Sequence, residues 1–492
     1  MTLEAPRDRV LAGLTPEQRA RLALELARRK TAGTSPVTRQ PRTPGTENLF
    51  PASPGQERLW YLHALEPDST AYVLPIVLRL RGPLDVPALE TALGTIVDRH
   101  EVLRTVFREA EDGTVRQVVL SALPVSLPVT ELAGARHELW RQVRTEAARP
   151  FDLSEGPLLR GSLLRVGVDE WVLVLCVHHI VVDGWSLGVL VEELGEAYAA
   201  GVEGRPARLA GLPVQYADFA VWQREWLSGE RLERQLAYWR EHLDSAPVLD
   251  VPGDRPRPAV SSFAGDSVPL DLDPELVGGL TRLVEGESAT LFMGLLAGFA
   301  SVLGRWAGQR DVVVGTAVAG RTRTELEPLV GFFVNTLALR VDVGGGASFR
   351  EVLGRARRAA LDGFAHQDVP FERVVQELGT DRRAGNPPVA QCMLALRNVP
   401  MRPPRLGELD VEVVEIPRDV AQLDLSVELV PTAEGGLSGA LEFSTELFDR
   451  GSAERLVEGV VSLLCGAVAA PDVPVGSLSV LGEGQRGLLE GF

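Results

Sequence analysis

The chain has 492 residues, 45% hydrophobic and 24% charged, a balance that fits a soluble globular protein with ample core and two or three domains. Lys plus Arg number 50 against 67 Asp plus Glu, and the net charge of −17 argues against broad nucleic-acid binding. No apolar run reaches membrane-spanning length, Met1 to Lys30 is too charged for a secretory signal, and Cys176, Cys392 and Cys465 read as core residues of a reducing compartment, so a cytoplasmic location is expected.

Leu14 to Lys30 predicts a helix, with Thr15 as N-cap, Pro16 at the first position, Gln18 completing a capping box and Leu22 and Leu26 on one face. The Thr- and Pro-rich stretch to Thr46 reads as a linker. Residues 1–45 are therefore a tethered helix, packed on the main body or contacting a partner protein. Ser53 and Pro54 open the next helix, with Trp60 and Leu62 as core candidates. Ala71 to Leu80 alternates as a strand, and Val86 to Phe107 is a long helix turning into a strand. The charged cluster Arg99, His100, Glu101 and Arg104 is expected to be a solvated helix end.

From Leu158 a strand pair leads to Trp171–Ser186, WVLVLCVHHIVVDGWS. The run Trp171–Val177 is short and rich in Val and Leu, which suits a strand buried on both faces. Ser186 can cap a helix carrying Leu187, Leu190, Val191 and Leu194 at helical spacing. A strand thus ends in a tight loop of imidazole, carboxylate and glycine on a rigid scaffold. Alternation sends His178 and His179 to opposite faces, so at most one of them points into a given cavity. Asp183 can orient an imidazole or pair with a cation and brace the loop. Gly184 permits unusual backbone and close approach of a substrate. The bland alternative is a structural histidine pair at a strand end. No third ligand lies at metal-binding spacing, so no metal is expected.

Ala199 to Leu212 reads as a loop, Tyr216 to His242 as a long helical passage between two lobes, and Val248 to Ser261 as extended loop. Helices are expected at Ser288–Gly304, Phe349–His366, after Pro370, and at Arg450–Ala469. The helix bearing Arg355, Arg357 and Arg358 is a candidate basic docking patch. Strands are expected at Val312–Val318, Pro388–Leu396, Leu409–Val414, and as a hairpin Leu423–Leu429 with Leu437–Phe443 turned by Gly435 and Gly436. Leu329–Leu339 is apolar but interrupted by Asn335. The pattern is two α/β lobes, each with a mixed sheet and packed helices.

Read with the other motifs, the central stretch resembles the condensation domain of nonribosomal peptide synthetases, a member of the HHxxxDG acyltransferase group. The resemblance covers residues 46 to 486 and rests on SPGQERLWYL from Ser53, RHEVLRTVF from Arg99, HHIVVDGWS from His178, YADFAVWQ from Tyr216, VGTAVAGRTR from Val314, LVGFFVNTLALR from Leu329 and HQDVPFERVVQEL from His366, in the family's order. It implies a V-shaped pseudo-dimer of chloramphenicol-acetyltransferase-like lobes, here residues 46–225 and 226–492, with a tunnel between them. Donor and acceptor carrier proteins would load that tunnel from opposite mouths through phosphopantetheine arms, the chain itself binding no cofactor. By the family pattern His179 faces the tunnel, Asp183 braces the loop through Arg321, Gly184 offers an N–H near the thioester carbonyl, and His178 looks more structural.

The resemblance implies amide formation between a donor thioester and an acceptor amine. Ester formation with a hydroxyl acceptor is the close alternative, and a non-catalytic recruitment platform the distant one. Epimerisation is disfavoured by the opening motif. The first two motifs are similar to the subtype taking an L-configured donor. Val177 stands where the β-lactam-forming subtype has a further histidine, and the intact motif excludes the heterocyclising subtype and differs from inactive relatives. The chain departs from the family at Gln422, Leu423 and Asp424, where Lys-Phe-Asp is frequent, and at Arg397 and Asn398, where Gln-Asn is frequent. No carrier or adenylation motifs are found, so a monomeric free-standing enzyme, or a first domain followed by an adenylation domain, is expected.

Overall fold

The computed structural model describes residues 36–482 apart from 133–135, 345, 380–386, 388, 398–402, 415 and 417–418. The expected helix Leu14–Lys30 and Asn398 lie outside the described residues.

The first half runs β1 (Asn48–Pro51), α1 (Pro54–Leu65), β2 (Val73–Arg81), α2 (Val86–Arg99), β3 (Thr105–Glu109), β4 (Val115–Val119), β5 (Val129–Glu131), α3 (Arg136–Ala147), β6 (Leu159–Gly167), β7 (Glu170–His178), α4 (Gly184–Val202), α5 (Tyr216–Trp226) and α6 (Gly229–Leu243). The second runs β8 (Gly265–Pro269), α7 (Pro274–Gly286), α8 (Leu291–Ala307), β9 (Asp311–Val318), β10 (Asn335–Asp342), α9 (Phe349–Ala365), α10 (Phe371–Leu378), β11 (Cys392–Leu396), β12 (Asp410–Val414), β13 (Leu425–Pro431), β14 (Leu437–Ser444) and α11 (Arg450–Ala469).

Three sheets result among the described residues. A small one is ordered β1-β4-β3, a second β12-β2-β7-β6-β5 and a third β10-β9-β11-β13-β14-β8. The apolar run Trp171–Val177 lies in β7, flanked antiparallel by β2 and β6, and every residue from Trp171 to His178 is buried. A strand with neighbours on both edges and helices packed over it has no solvated face, which is why it reads as unbroken hydrophobicity. In the third sheet β11 runs parallel to both β9 and β13, and the hairpin β13–β14 pairs antiparallel as expected. Helix α8 is buried at every position from Met293 to Gly304, packed among α7, α9 and α11. No single helix among the described residues is long and apolar enough to cross a membrane.

The two halves are not separate in space. Leu326, Leu329, Val330 and Phe333 sit in the core built on the second sheet, and β12 extends that sheet by pairing antiparallel with β2.

Several expectations are corrected. The helix expected to stop before Ala199 continues to Val202, and the passage Tyr216–His242 is two helices broken at Leu227 and Ser228, where Gly229 takes φ 56°. Cys465 is exposed, whereas Cys176 and Cys392 are buried. The cluster expected to be solvated is instead interior: His100 is 1% and Glu101 6% exposed. The His100 ring lies 2.7 Å from Glu193, and Glu101 is clasped by Arg42 at 2.8 Å. Arg42 also pairs with the fully buried Asp218 at 2.9 Å, while the Gln40 amide donates to the same carboxylate at 2.9 Å. From Val37, itself buried, to Arg42 the expected linker is therefore a docked strap, held because two buried carboxylates need its cation.

Candidate active site

The register of β2 on β7 pairs Val73 with His178 and ends there; the His179 amide then donates to the Tyr72 carbonyl at 2.8 Å. A single 3₁₀ turn, His179–Val181, follows, and Asp183 caps α4. The turn is supported from α1, where Gln56 donates to the Ile180 carbonyl at 3.2 Å.

The two histidines have different surroundings. His178 is buried, accepts the Ile180 N–H at Nδ1 (3.1 Å) and meets Phe151 edge-on. Loss of hydration, then the neighbouring His179, His63 and Arg160, push its pKa down to about 3, so it is neutral. His179 is half-buried. Its Nδ1 lies 2.6 Å from the Val182 carbonyl, an acceptor only, so Nδ1 carries a proton and the Nε2 lone pair is the one that titrates. Phe332, from the second half of the chain, stands edge-on to that ring with centroids 5.0 Å apart.

Asp183 does not orient an imidazole. Its Oδ1 accepts from the Ser186 amide and hydroxyl, both at 2.8 Å, and its Oδ2 from Arg321 Nη1 at 2.7 Å and the Phe333 amide at 3.0 Å. The Asp183 and Arg321 side chains are 2% and 1% exposed, so the brace is a fully desolvated ion pair with its remaining lone pairs satisfied. Arg321 Nη2 reaches the Ser186 hydroxyl at 2.8 Å and the Leu329 carbonyl at 3.1 Å, and its guanidinium lies over the Phe333 ring. Trp185 adds a further tie, donating to the Glu327 carbonyl at 2.9 Å.

Gly184 is the first residue of α4, with helical rather than left-handed backbone, and a Cβ there would meet nothing within 4 Å. Its glycine is thus unexplained by packing within this chain; it faces open space at a helix N-terminus, where the first-turn N–H groups have no intrahelical acceptor. Motif glycines elsewhere are steric. At Gly320 (φ +65°) a Cβ would lie 1.9 Å from the Phe333 carbonyl oxygen, and at Gly331 one would lie 2.0 Å from the Tyr216 ring.

The structure thus brings His178, His179, Asp183, Gly184 and Arg321 to one place. Sequence reasoning missed Gly331, Phe332, Phe333 and Tyr216, and it read Ser186 as the cap of α4, a place that Asp183 takes. The Tyr216 hydroxyl lies 2.7 Å from the Phe332 carbonyl and 2.8 Å from Ser53 Oγ. These residues lie inside the motifs given above, but nothing local says that five motifs converge. Residues 331–333 are not strand because their backbone groups are spent on Ser186, Tyr216 and Asp183; β10 starts only at Asn335, whose amide joins it to residues 367–371. Of the other positions, Gln422 donates to the Ala71 carbonyl across the halves and Asp424 pairs with Arg257. Arg355 is held by Asp342 and Arg357 by the Ser288 carbonyl, so two of the three arginines of the candidate docking patch are occupied. Among the described residues no group of three or more His, Cys, Asp or Glu could hold a metal.

The site is thus a histidine at the end of a buried strand, in a loop locked by an arginine from the other half of an α/β chain. The family model "Condensation domain" matches residues 46–489, and the chain belongs to the condensation-domain family. It is 43% identical over 451 residues to a linear gramicidin synthase of Brevibacillus parabrevis, covering 90% of this chain and 9% of that protein. It is 40% identical over 483 residues to the phosphinothricin tripeptide synthetase PhsC of Streptomyces viridochromogenes, covering 96% and 44%. Among solved structures, the X-domain from teicoplanin biosynthesis superposes with TM-score 0.84 at 30% identity, covering 91% of this chain and all of that one. The first condensation domain of the CDA synthetase superposes with TM-score 0.72 at 26% identity, covering 88% and 99%.

Proposed function

We propose that the chain joins a carrier-bound acyl or aminoacyl thioester to the amine of a carrier-bound acceptor, forming an amide. The observation that carries this is His179 held in the Nδ1–H tautomer beside the open N-terminus of α4. The acceptor nitrogen attacks the thioester carbon, the C–S bond breaks, the phosphopantetheine thiol leaves, and the ammonium proton is lost. A thioester needs no covalent enzyme intermediate, so alignment of two tethered substrates is the first large contribution. Nε2 of His179 takes the amine proton or hydrogen-bonds the tetrahedral intermediate, a role worth about 10²–10⁴-fold. The Gly184 N–H faces the oxyanion, worth about 10²-fold. Asp183 and Arg321 hold the loop, and His178 is structural.

In this reading residues 46–225 and 226–492 form two lobes enclosing a tunnel, the phosphopantetheine arms arrive on carrier proteins, and the monomeric chain works in the cytoplasm, with an adenylation domain as a neighbour in a larger synthetase. Ester formation uses the same geometry with an alcohol acceptor. The likeness to the X-domain, known from a complex of the X-domain and OxyB, favours a recruitment platform as the second reading.

The test is intact-mass detection of product from loaded donor and acceptor carriers, with amine and alcohol acceptors of one skeleton and His179→Ala beside the wild type. Amide from the wild type alone supports the proposal. Ester alone replaces it with the hydroxyl reading, and equal product from both proteins removes His179 from the mechanism. No product across a donor panel, with carriers bound, supports the platform.

A further inference from the structure

The segment Gly331–Phe333 is held at every residue. The Gly331 amide donates to Ser186 Oγ at 3.0 Å, the Phe332 carbonyl lies 2.7 Å from the Tyr216 hydroxyl, and the Phe333 amide donates to Asp183 at 3.0 Å. Gly331 and Gly320 are glycines because a Cβ at either would strike the Tyr216 ring or the Phe333 carbonyl. Such clamping is more than a turn needs, and the side chain it aims is Phe332. That ring is edge-on to His179, at 81° between planes, and half-buried like the imidazole itself. It also fills the space a side chain would take at Gly55, where a Cβ would lie 2.8 Å from Cε1 and 3.1 Å from Cδ1. Gly55 is the second residue of α1, ahead of the Gln56 that supports the histidine turn.

We propose that Phe332 is a positioning residue for His179. Packed against both α1 and the imidazole, it holds the ring in the orientation that keeps Nδ1 on the Val182 carbonyl and Nε2 toward substrate, and Gly55 is glycine to admit it. The second half of the chain thereby sets the aim of a histidine carried by the first. This rests on the reading of His179 as the reacting group. A hydrogen bond fixes one point of an imidazole; a packed edge removes the rotation left about it, and a small misorientation of a catalytic group is costly.

The experiment uses the full chain labelled with ¹⁵N-histidine, in wild type, Phe332→Leu, Phe332→Ala, Gly55→Ala, Gly55→Ala with Phe332→Ala, and His179→Ala to assign the resonance. We expect Phe332→Ala and Gly55→Ala each to lower kcat by about ten- to a hundredfold, with KM for both carriers within about twofold. The His179 ring signal should lose its single Nδ1–H tautomer pattern, Phe332→Leu should restore most of both, and Gly55→Ala should cost nothing further once Phe332 is Ala. An unchanged His179 signal in Phe332→Ala overturns the proposal whatever happens to kcat, as does full additivity of the two substitutions. Should Phe332→Ala not fold, Gly55→Ala and Phe332→Leu give the same signal test. Full activity in His179→Ala would sink the functional reading alone, because the spectroscopic coupling is measured independently of turnover.

Discussion

Asp183 and Arg321 stand 138 positions apart in the chain and 2.7 Å apart in space, and their joint desolvation makes them a conditional pair. Attraction in a low-dielectric interior offsets the lost hydration only while both are present. Arg321→Ala should therefore destabilise the protein by about 3–5 kcal/mol, read as a shift in the urea midpoint. Arg321→Lys should recover little, because Nη1 and Nη2 serve Asp183 and Ser186 together and an ammonium cannot span that fork. A Lys variant with wild-type stability and activity would refute the bidentate role.

Gly184, Gly320 and Gly331 should separate by readout. Gly320→Ala and Gly331→Ala meet backbone and ring atoms at about 2 Å and should cost about 3 kcal/mol or more, losing activity because the loop moves. Gly184→Ala meets nothing and should melt as the wild type does, within about 0.5 kcal/mol. Its activity should nonetheless fall by about 10²-fold, since a methyl would stand where the substrate approaches the helix N-terminus. Full activity in Gly184→Ala would show that the substrate does not approach this Cα closely enough to need glycine.

Acid should expose the burial of His178. Its pKa falls from 6.5 in the unfolded chain to about 3 in the native one, so between those values the unfolded state binds more protons. Stability then rises with pH through the window; it is intact above pH 6.5 and declines as pH drops toward 3. The slope is at most about 1.4 kcal/mol per pH unit from this group. His63 and His242 are also lowered by burial and add to the wild-type slope. The difference between wild type and His178→Asn, which can still accept the Ile180 N–H, isolates one proton. Identical stability–pH slopes in urea titrations would show that His178 is not held neutral by the fold.

The strap should contribute to stability through its cation. A chain beginning at residue 36 keeps Gln40 and Arg42 on Asp218 and is the reference for the longer truncation. Deleting 1–45, or Arg42→Ala, strands the Glu101 and Asp218 carboxylates in the interior and should cost about 3–5 kcal/mol. Equal melting of both truncations would show that those charges find other partners.

The periodicity of the chain determined much of this fold. Two-sided hydrophobicity marked β7, the capping sequence at Ser53 and the helix Arg450–Ala469 were local, and the resemblance carried by the motifs pointed to a candidate site at His179 and Asp183 with Arg321 as its expected brace. Those signals are readable because burial and capping act on neighbours within one turn or one strand. Charge at Arg99–Arg104 and the linker-like composition near Arg42 misled, since each looks solvated until the other is seen to neutralise it. The choice between Asp183 as orienter and as brace, the mixing of late segments into the first core, and the convergence of Gly55, His179, Tyr216 and Phe332 were decided only in three dimensions. Contacts across more than a hundred residues leave no period in the sequence; they exist because desolvated charges and close-packed rings admit few partners, and the tertiary fold chooses which.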